Sequence, residues 1–221
     1  THGFEDDQVT ACVFIGSGDE LLSAGFSGSV VRWNVATGES IGQRYEHLRA
    51  VRSVAVSADG KRFVSVRETN GADDSLPQVV VWKLSETAKS EREFGVRAKD
   101  GIIRSASWND DASEIFTTAA NTSAGARFWN VSTGEAISGK TFAELESSRP
   151  DFGLLLSGQP RAVTLRGGEA RIWNLSEKSE SGKLASHQAV PAVAISEDGS
   201  TVATGSLDGS IKLWDASTGK S

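Results

Sequence analysis

A chain of 221 residues is long enough for one domain with a real core, and its 38% hydrophobic and 24% charged residues are ordinary for a globular protein. Its net charge of −6 argues against a general binder of nucleic acid or anionic membrane, since both are polyanions. No apolar run approaches the ~20 residues of a membrane helix, and no basic segment followed by an apolar one opens the chain as in a signal peptide.

In chain order, the first apolar run is Ala11-Cys12-Val13-Phe14, which places Cys12 in the core. As the single cysteine it excludes an internal disulfide and points to a reducing compartment, so a cytoplasmic protein is expected. Val30–Asn34 (Val-Val-Arg-Trp-Asn) is followed by Val51–Val56, which is rich in β-branched residues. The loop Ala58-Asp59-Gly60 ends that strand, and Arg62–Val66 reads as the next. Val79–Lys83 (Val-Val-Val-Trp-Lys) comes after an insertion over Glu68–Gln78. Trp108 ends an inner strand and belongs to the core. Ala126–Asn130 and Ala170–Asn174 carry the same Trp-Asn ending. The last stretch alternates Ala192–Ile195, Thr201–Thr204 and Ile211–Trp214 with the turns Glu197-Asp198-Gly199 and Leu207-Asp208-Gly209. These are short strands with glycine turns, and helical periodicity is absent over any ten residues.

Trp33, Trp82, Trp129, Trp173 and Trp214 lie 49, 47, 44 and 41 residues apart. Thr37-Gly38, Thr133-Gly134 and Thr218-Gly219 follow three of them at one distance. A period of ~45 residues holding four short strands is that of a propeller blade. The expected fold is all-β, with about five four-stranded antiparallel blades. The repeats fall approximately at 1–40, 41–89, 90–136, 137–180 and 181–221, within one segment.

The pattern resembles the WD-repeat family over nearly the whole chain, best in the last repeat. The resemblance implies a blade network of His187, Thr204, Asp208 and Trp214, in which buried polar groups satisfy one another. The second repeat has His47, Ser65 and Trp82. The first has Ser23 and Trp33, with Ser27 where Asp208 stands and His2 offset. The third has Thr117 and Trp129 without a histidine, and the fourth keeps only Trp173, with Gly167 in place of the aspartate. The family also implies more blades than five, supplied by the rest of the native chain or by an associated chain.

The functional expectation is a non-catalytic protein-interaction scaffold within a larger protein, without cofactor or metal and binding neither nucleic acid nor membrane. The alternative is a small-ligand or sugar-sensing propeller of a multidomain signalling protein. Family register places the partner-facing positions at Gln8 and Thr10, Ala50 and Arg52, Ile102 and Arg104, Ala189 and Pro191, then Phe26, Arg166 and Leu207. Arginines with large apolar side chains suit a peptide bearing acidic and apolar groups.

Three patterns invite other readings. Gly134–Thr141 matches the phosphate-loop spacing, yet Gly134 stands five residues after Trp129, as Gly38 does after Trp33. That register makes Gly134 a turn glycine and Ile137–Thr141 an outer strand. The sequons at Asn121, Asn130 and Asn174 include two that occupy the position of Asp215, beside the blade tryptophan. The acidic pairs Asp6-Asp7, Asp73-Asp74 and Asp110-Asp111 fall in loops and read as solvated.

Overall fold

A computed structural model describes residues 7–69, 77–85, 90–94, 101–120, 125–141, 145, 148, 150–184, 192–196 and 198–221. The elements of these residues are eighteen strands in five antiparallel sheets. The first sheet holds β1 (Val9–Ile15), β2 (Glu20–Gly25), β3 (Ser29–Asn34) and the short β4 (Tyr45–Glu46). The second holds β5 (Val51–Val56), β6 (Arg62–Arg67), β7 (Val79–Lys83) and β8 (Ser90–Phe94). The third is β9 (Ile102–Trp108), β10 (Glu114–Ala120) and β11 (Ala126–Asn130). The fourth is β12 (Phe152–Leu155), β13 (Arg161–Arg166), β14 (Glu169–Asn174) and β15 (Ser179–Leu184), and the fifth is β16 (Ala192–Ile195), β17 (Thr201–Gly205) and β18 (Ile211–Asp215). Each sheet is a meander in sequence order, the blade pattern. The first, second and fourth sheets run a few residues past the repeat limits read from sequence, because the outermost strand follows the turn after the tryptophan.

The five blade tryptophans all lie on third strands. The core is four apolar layers, each between consecutive blades. Strand alternation explains this, because successive side chains point to opposite faces. On β6, Phe63 faces the first blade while Val64 and Val66 face the third. On β10, Ile115 joins the second-to-third layer and Phe116 the third-to-fourth. Trp108 is buried at the end of β9 under the Arg62 guanidinium, 5.2 Å from the ring centre.

This arrangement corrects the expectation for Cys12, which is exposed. It holds the position that Val54 holds in the second blade and Ala106 in the third, facing the preceding blade. No blade precedes the first among the described residues, so Cys12 and Phe14 lie uncovered while Ala11, Val13 and Ile15 pack on the second blade.

The outer strand expected over Ile137–Thr141 is also not formed. A single bridge, Trp129 to Ala136, and the Ile137 amide on the Phe128 carbonyl (2.8 Å) start a fourth strand, and residues 138–141 then turn away. The first blade does the same at Trp33 and Ser40 before β4 resumes the ladder. Positive φ at Gly139 (76°) is compatible with this exit.

Blade spacing is tight at Gly153 on β12. A Cβ there would stand 2.6 Å from Thr118 Cγ2 and 3.0 Å from the Phe116 ring. The Gly153 amide donates to Ser105 Oγ (2.9 Å), and that hydroxyl donates to the Gly153 carbonyl (3.0 Å). Gly153→Ala is expected to cost about 1–3 kcal/mol through overpacking, measured as a drop in the urea midpoint. An unchanged midpoint would mean that the two blades separate freely at this seam.

Candidate functional site at the channel mouth

Each blade is pinned inside by one hydrogen bond. The indole Nε1 of Trp33 donates to Ser23 Oγ (2.7 Å), Trp82 to Ser65 (2.7 Å), Trp129 to Thr117 (2.8 Å), Trp173 to Thr164 (2.7 Å) and Trp214 to Thr204 (2.8 Å). The fourth blade therefore keeps more than its tryptophan: Thr164, overlooked in the sequence, holds the hydroxyl position. In the second blade His47 Nε2 lies 2.9 Å from Ser65 Oγ, which extends the chain. Burial, then the Arg67 charge, lowers the His47 pKa to about 4. Asp208 accepts from the Ser210 amide (2.8 Å) and so organises its own turn. In the first blade, Asp7 accepts from the amide (2.7 Å) and hydroxyl (2.6 Å) of Ser27. His2, His187, Ala189, Pro191, Asp6, Asn121 and Asp73-Asp74 lie outside the described residues.

The first strands share a second device. The ladder slips by one residue between Val9 and Ala11, between Val51 and Ser53, and between Ser105 and Ile103. The extra residues are Thr10, Arg52 and Arg104. A bulge leaves its residue out of the pairing and re-aims its side chain. With β5 beside β9 and β9 beside β12, Arg52 and Arg104 line one cavity of about 430 Å³ together with Arg166, at the end of β13. Asp151, Phe152, Leu165 and Gly167 complete the lining. Asp151 stands in the fourth blade where Arg104 stands in the third.

The arginines are held differently. Arg52 pairs with Glu68, and the Arg166 guanidinium donates to the Ser148 carbonyl (2.5 Å). The Nε of Arg104 is buried and has no hydrogen-bond partner. A buried donor without an acceptor is costly, and an arriving anion or water would satisfy it. Asp110 accepts from the Gly158 amide (2.9 Å).

The structure thus brings Arg52, Arg104 and Arg166 together and leaves the other described positions among those expected off that lining. Phe26 and Leu207 are 59% and 76% exposed, Gln8 and Thr10 are exposed, Ile102 is half-buried and Ala50 is buried. The apolar wall comes from Phe152 and Leu165, which the sequence reading missed along with Asp151 and Glu68. Placing Thr164 opposite Trp173 would have set the register of the fourth blade and pointed to Asp151.

Residues 178–215 match the family model described as WD domain, G-beta repeat. Over longer spans the chain is similar to Actin-interacting protein 1 of Drosophila melanogaster, 26% identical over 184 residues, covering 80% of this chain and 28% of that protein. It is also similar to Pre-mRNA-processing factor 17 of Homo sapiens, 24% identical over 223 residues, covering 96% of this chain and 36% of that protein. The crystal structure of RRP9 WD40 repeats superposes with a TM-score of 0.74 at 19% identity, over 99% of this chain and 63% of that one. The fold is that of a WD-repeat propeller. The chain spans well under half of either curated relative.

WD-repeat register also accounts for the competing motifs. The Asn130 side chain accepts from the Thr133 amide (3.0 Å) and Asn174 from the Ser176 amide (3.0 Å), as Asp215 does from Ser217 (2.9 Å). All three are turn-forming residues after the blade tryptophan. In the stretch with phosphate-loop spacing, the Gly134 amide donates to the Asn130 carbonyl (2.8 Å). Lys140 Nζ lies on the Glu114 carboxylate (2.6 Å) and 5.6 Å from the Phe128 ring centre. A phosphate loop would lead into a helix over residues 142–147, which, apart from Leu145, lie outside the described residues.

A second cavity, about 310 Å³, opens between the third and fourth WD blades at the opposite rim. Phe128, Leu155, Leu156 and Leu175 supply its apolar wall. At the second-to-third seam the same place is filled by Arg62 over Trp108, with the guanidinium donating to the Ala112 carbonyl (2.7 Å). Here the corresponding residues are Glu114 and Leu155, and Glu114 turns to Lys140 of its own blade.

Proposed function

We propose that the chain is a non-catalytic protein-interaction module whose partner docks on the mouth lined by Arg52, Arg104 and Arg166. The observation that supports this reading is their convergence from three successive blades onto one cavity of a protein with net charge −6. A local positive site on an acidic molecule selects an acidic group, and guanidinium forks bind carboxylates with directionality. Phe152, half-buried in the lining, would take an adjacent apolar side chain. The fly relative carries interaction with actin in its name; for this chain it supports a protein-binding role in general. A protein partner is favoured over nucleic acid, because the overall field repels a polyanion.

Arg104→Ala and Arg166→Ala are each expected to cost about 2 kcal/mol or more in partner binding, the scale of a hot-spot residue. Lys178→Ala, on the opposite rim, should leave affinity unchanged. The measurement is the Kd of each folded variant for the protein that the wild type captures from a lysate of its source. Equal affinity in both arginine variants would move the interface away from the mouth.

Further blades, from the same native chain or an associated one, are proposed to cover the two open blade faces. Phe14 on one and Ile211 and Leu213 on the other are 60%, 76% and 61% exposed, at positions that are interior between the other blades. The second functional reading, a small-ligand sensor, draws on the apolar seam cavity between the third and fourth blades.

A further inference from the structure

The mouth already contains a carboxylate where a partner's would be expected. Glu68 pairs with Arg52, and the Glu68 amide donates to the Ala50 carbonyl (2.7 Å), which fixes the residue beside the strand that carries Arg52. Both side chains remain accessible, at 40% for Arg52 and 34% for Glu68. Deeper in the same lining, the Arg104 Nε has no acceptor. The local charge is three guanidinium groups against Asp151 in the lining and Glu68 at its edge.

Resting on the reading of the mouth as a partner site, we infer that Glu68 is an internal stand-in for the partner's carboxylate and that docking displaces it from Arg52. Three considerations carry this. An exposed ion pair is worth at most about a factor of five, so an arriving acid can replace it at small cost. Exchange of one carboxylate for another conserves the charge on Arg52. With Glu68 displaced, two positive charges remain beyond the one Asp151 balances, which suits a peptide carrying two acidic side chains around an apolar one. Phe152, half-buried in the lining, forms the wall for that apolar residue. Glu68 thereby sets a threshold: a lone weak acid does not displace it, and a peptide that also engages Arg104 does.

The test uses the full chain and a fluorescein-labelled eight-residue peptide of alternating glutamate and leucine, followed by anisotropy at low salt. Glu68→Gln is expected to bind about fivefold more tightly than wild type. Glu39→Gln, an exposed residue changed by the same net charge, should bind as wild type does. Arg104→Ala should abolish binding with either residue at 68. If Glu68→Gln binds no better, or worse, while Arg104→Ala still abolishes binding, the stand-in role is overturned and the mouth remains the site. If no binding is seen, if Arg104→Ala has no effect, or if a glutamine–leucine peptide binds equally well, the mouth itself is overturned as a carboxylate site.

Discussion

Trp173→Ala is expected to lower the unfolding free energy by about 3–5 kcal/mol, the range for deleting a large buried aromatic. Trp173 is 1% exposed and packs with Phe116, Phe128, Leu145 and Ala162 between the third and fourth blades. Its Nε1 bond to Thr164 is buried, so the substitution also leaves that hydroxyl without its donor. Trp173→Phe separates the two effects. It keeps most of the volume and should cost about 1–2 kcal/mol. Trp33 provides the contrast. It makes the same bond to Ser23 but faces the uncovered side of the first blade and is only half-buried. Trp33→Ala should therefore cost much less. Urea midpoints followed by circular dichroism measure all three. An equal loss at Trp33 and Trp173 would show that the indole stabilises its own blade rather than the layer between blades.

Acidification should destabilise the second blade through His47. The ring lies edge-on to Trp82, 5.1 Å between centroids, against Ser65 Oγ, and its pKa falls to about 4, through burial first and the Arg67 charge second. An unfolded histidine titrates near 6.5. Between those values the unfolded chain binds a proton that the folded chain refuses, so stability rises with pH. The contribution is complete above about pH 6.5, declines as pH falls towards 4, and amounts to up to about 3 kcal/mol. Asp198 and Asp215, held at about 2 mainly by serine hydroxyls, keep their charge in this window. The check is the urea midpoint from pH 7.5 to 4.5 for wild type and His47→Gln. The variant should show a flatter profile, and parallel profiles would place the pH dependence elsewhere.

Blade number and the inner three strands of each blade were readable without coordinates, because they depend on local periodicity, whereas the outer strand expected over Ile137–Thr141 was not. The tryptophan spacing, the β-branched runs and the glycine turns each recur, and every recurrence imposes the same backbone. Family register likewise assigned Arg52, Arg104 and Arg166 to one end of the blades, since it carries a position from one repeat to the next, and the three line one cavity. Thr164 was missed because one hydroxyl in a diverged repeat has no signature until the pairing of its strand with that of Trp173 is known.

Three features belong to tertiary structure alone. Cys12 is apolar in context yet exposed, because burial of a blade face depends on a neighbouring blade and not on the strand that carries it. The bulges at Arg52 and Arg104 are shifts between two paired strands, and neither strand's composition records them. The grouping of Arg52, Arg104 and Arg166 around one cavity with Asp151 joins three blades, and the pairing of Arg52 with Glu68 joins two strands. Distances in space between residues far apart in the chain decide all three, and a single strand's pattern of apolar and polar residues contains no such distance.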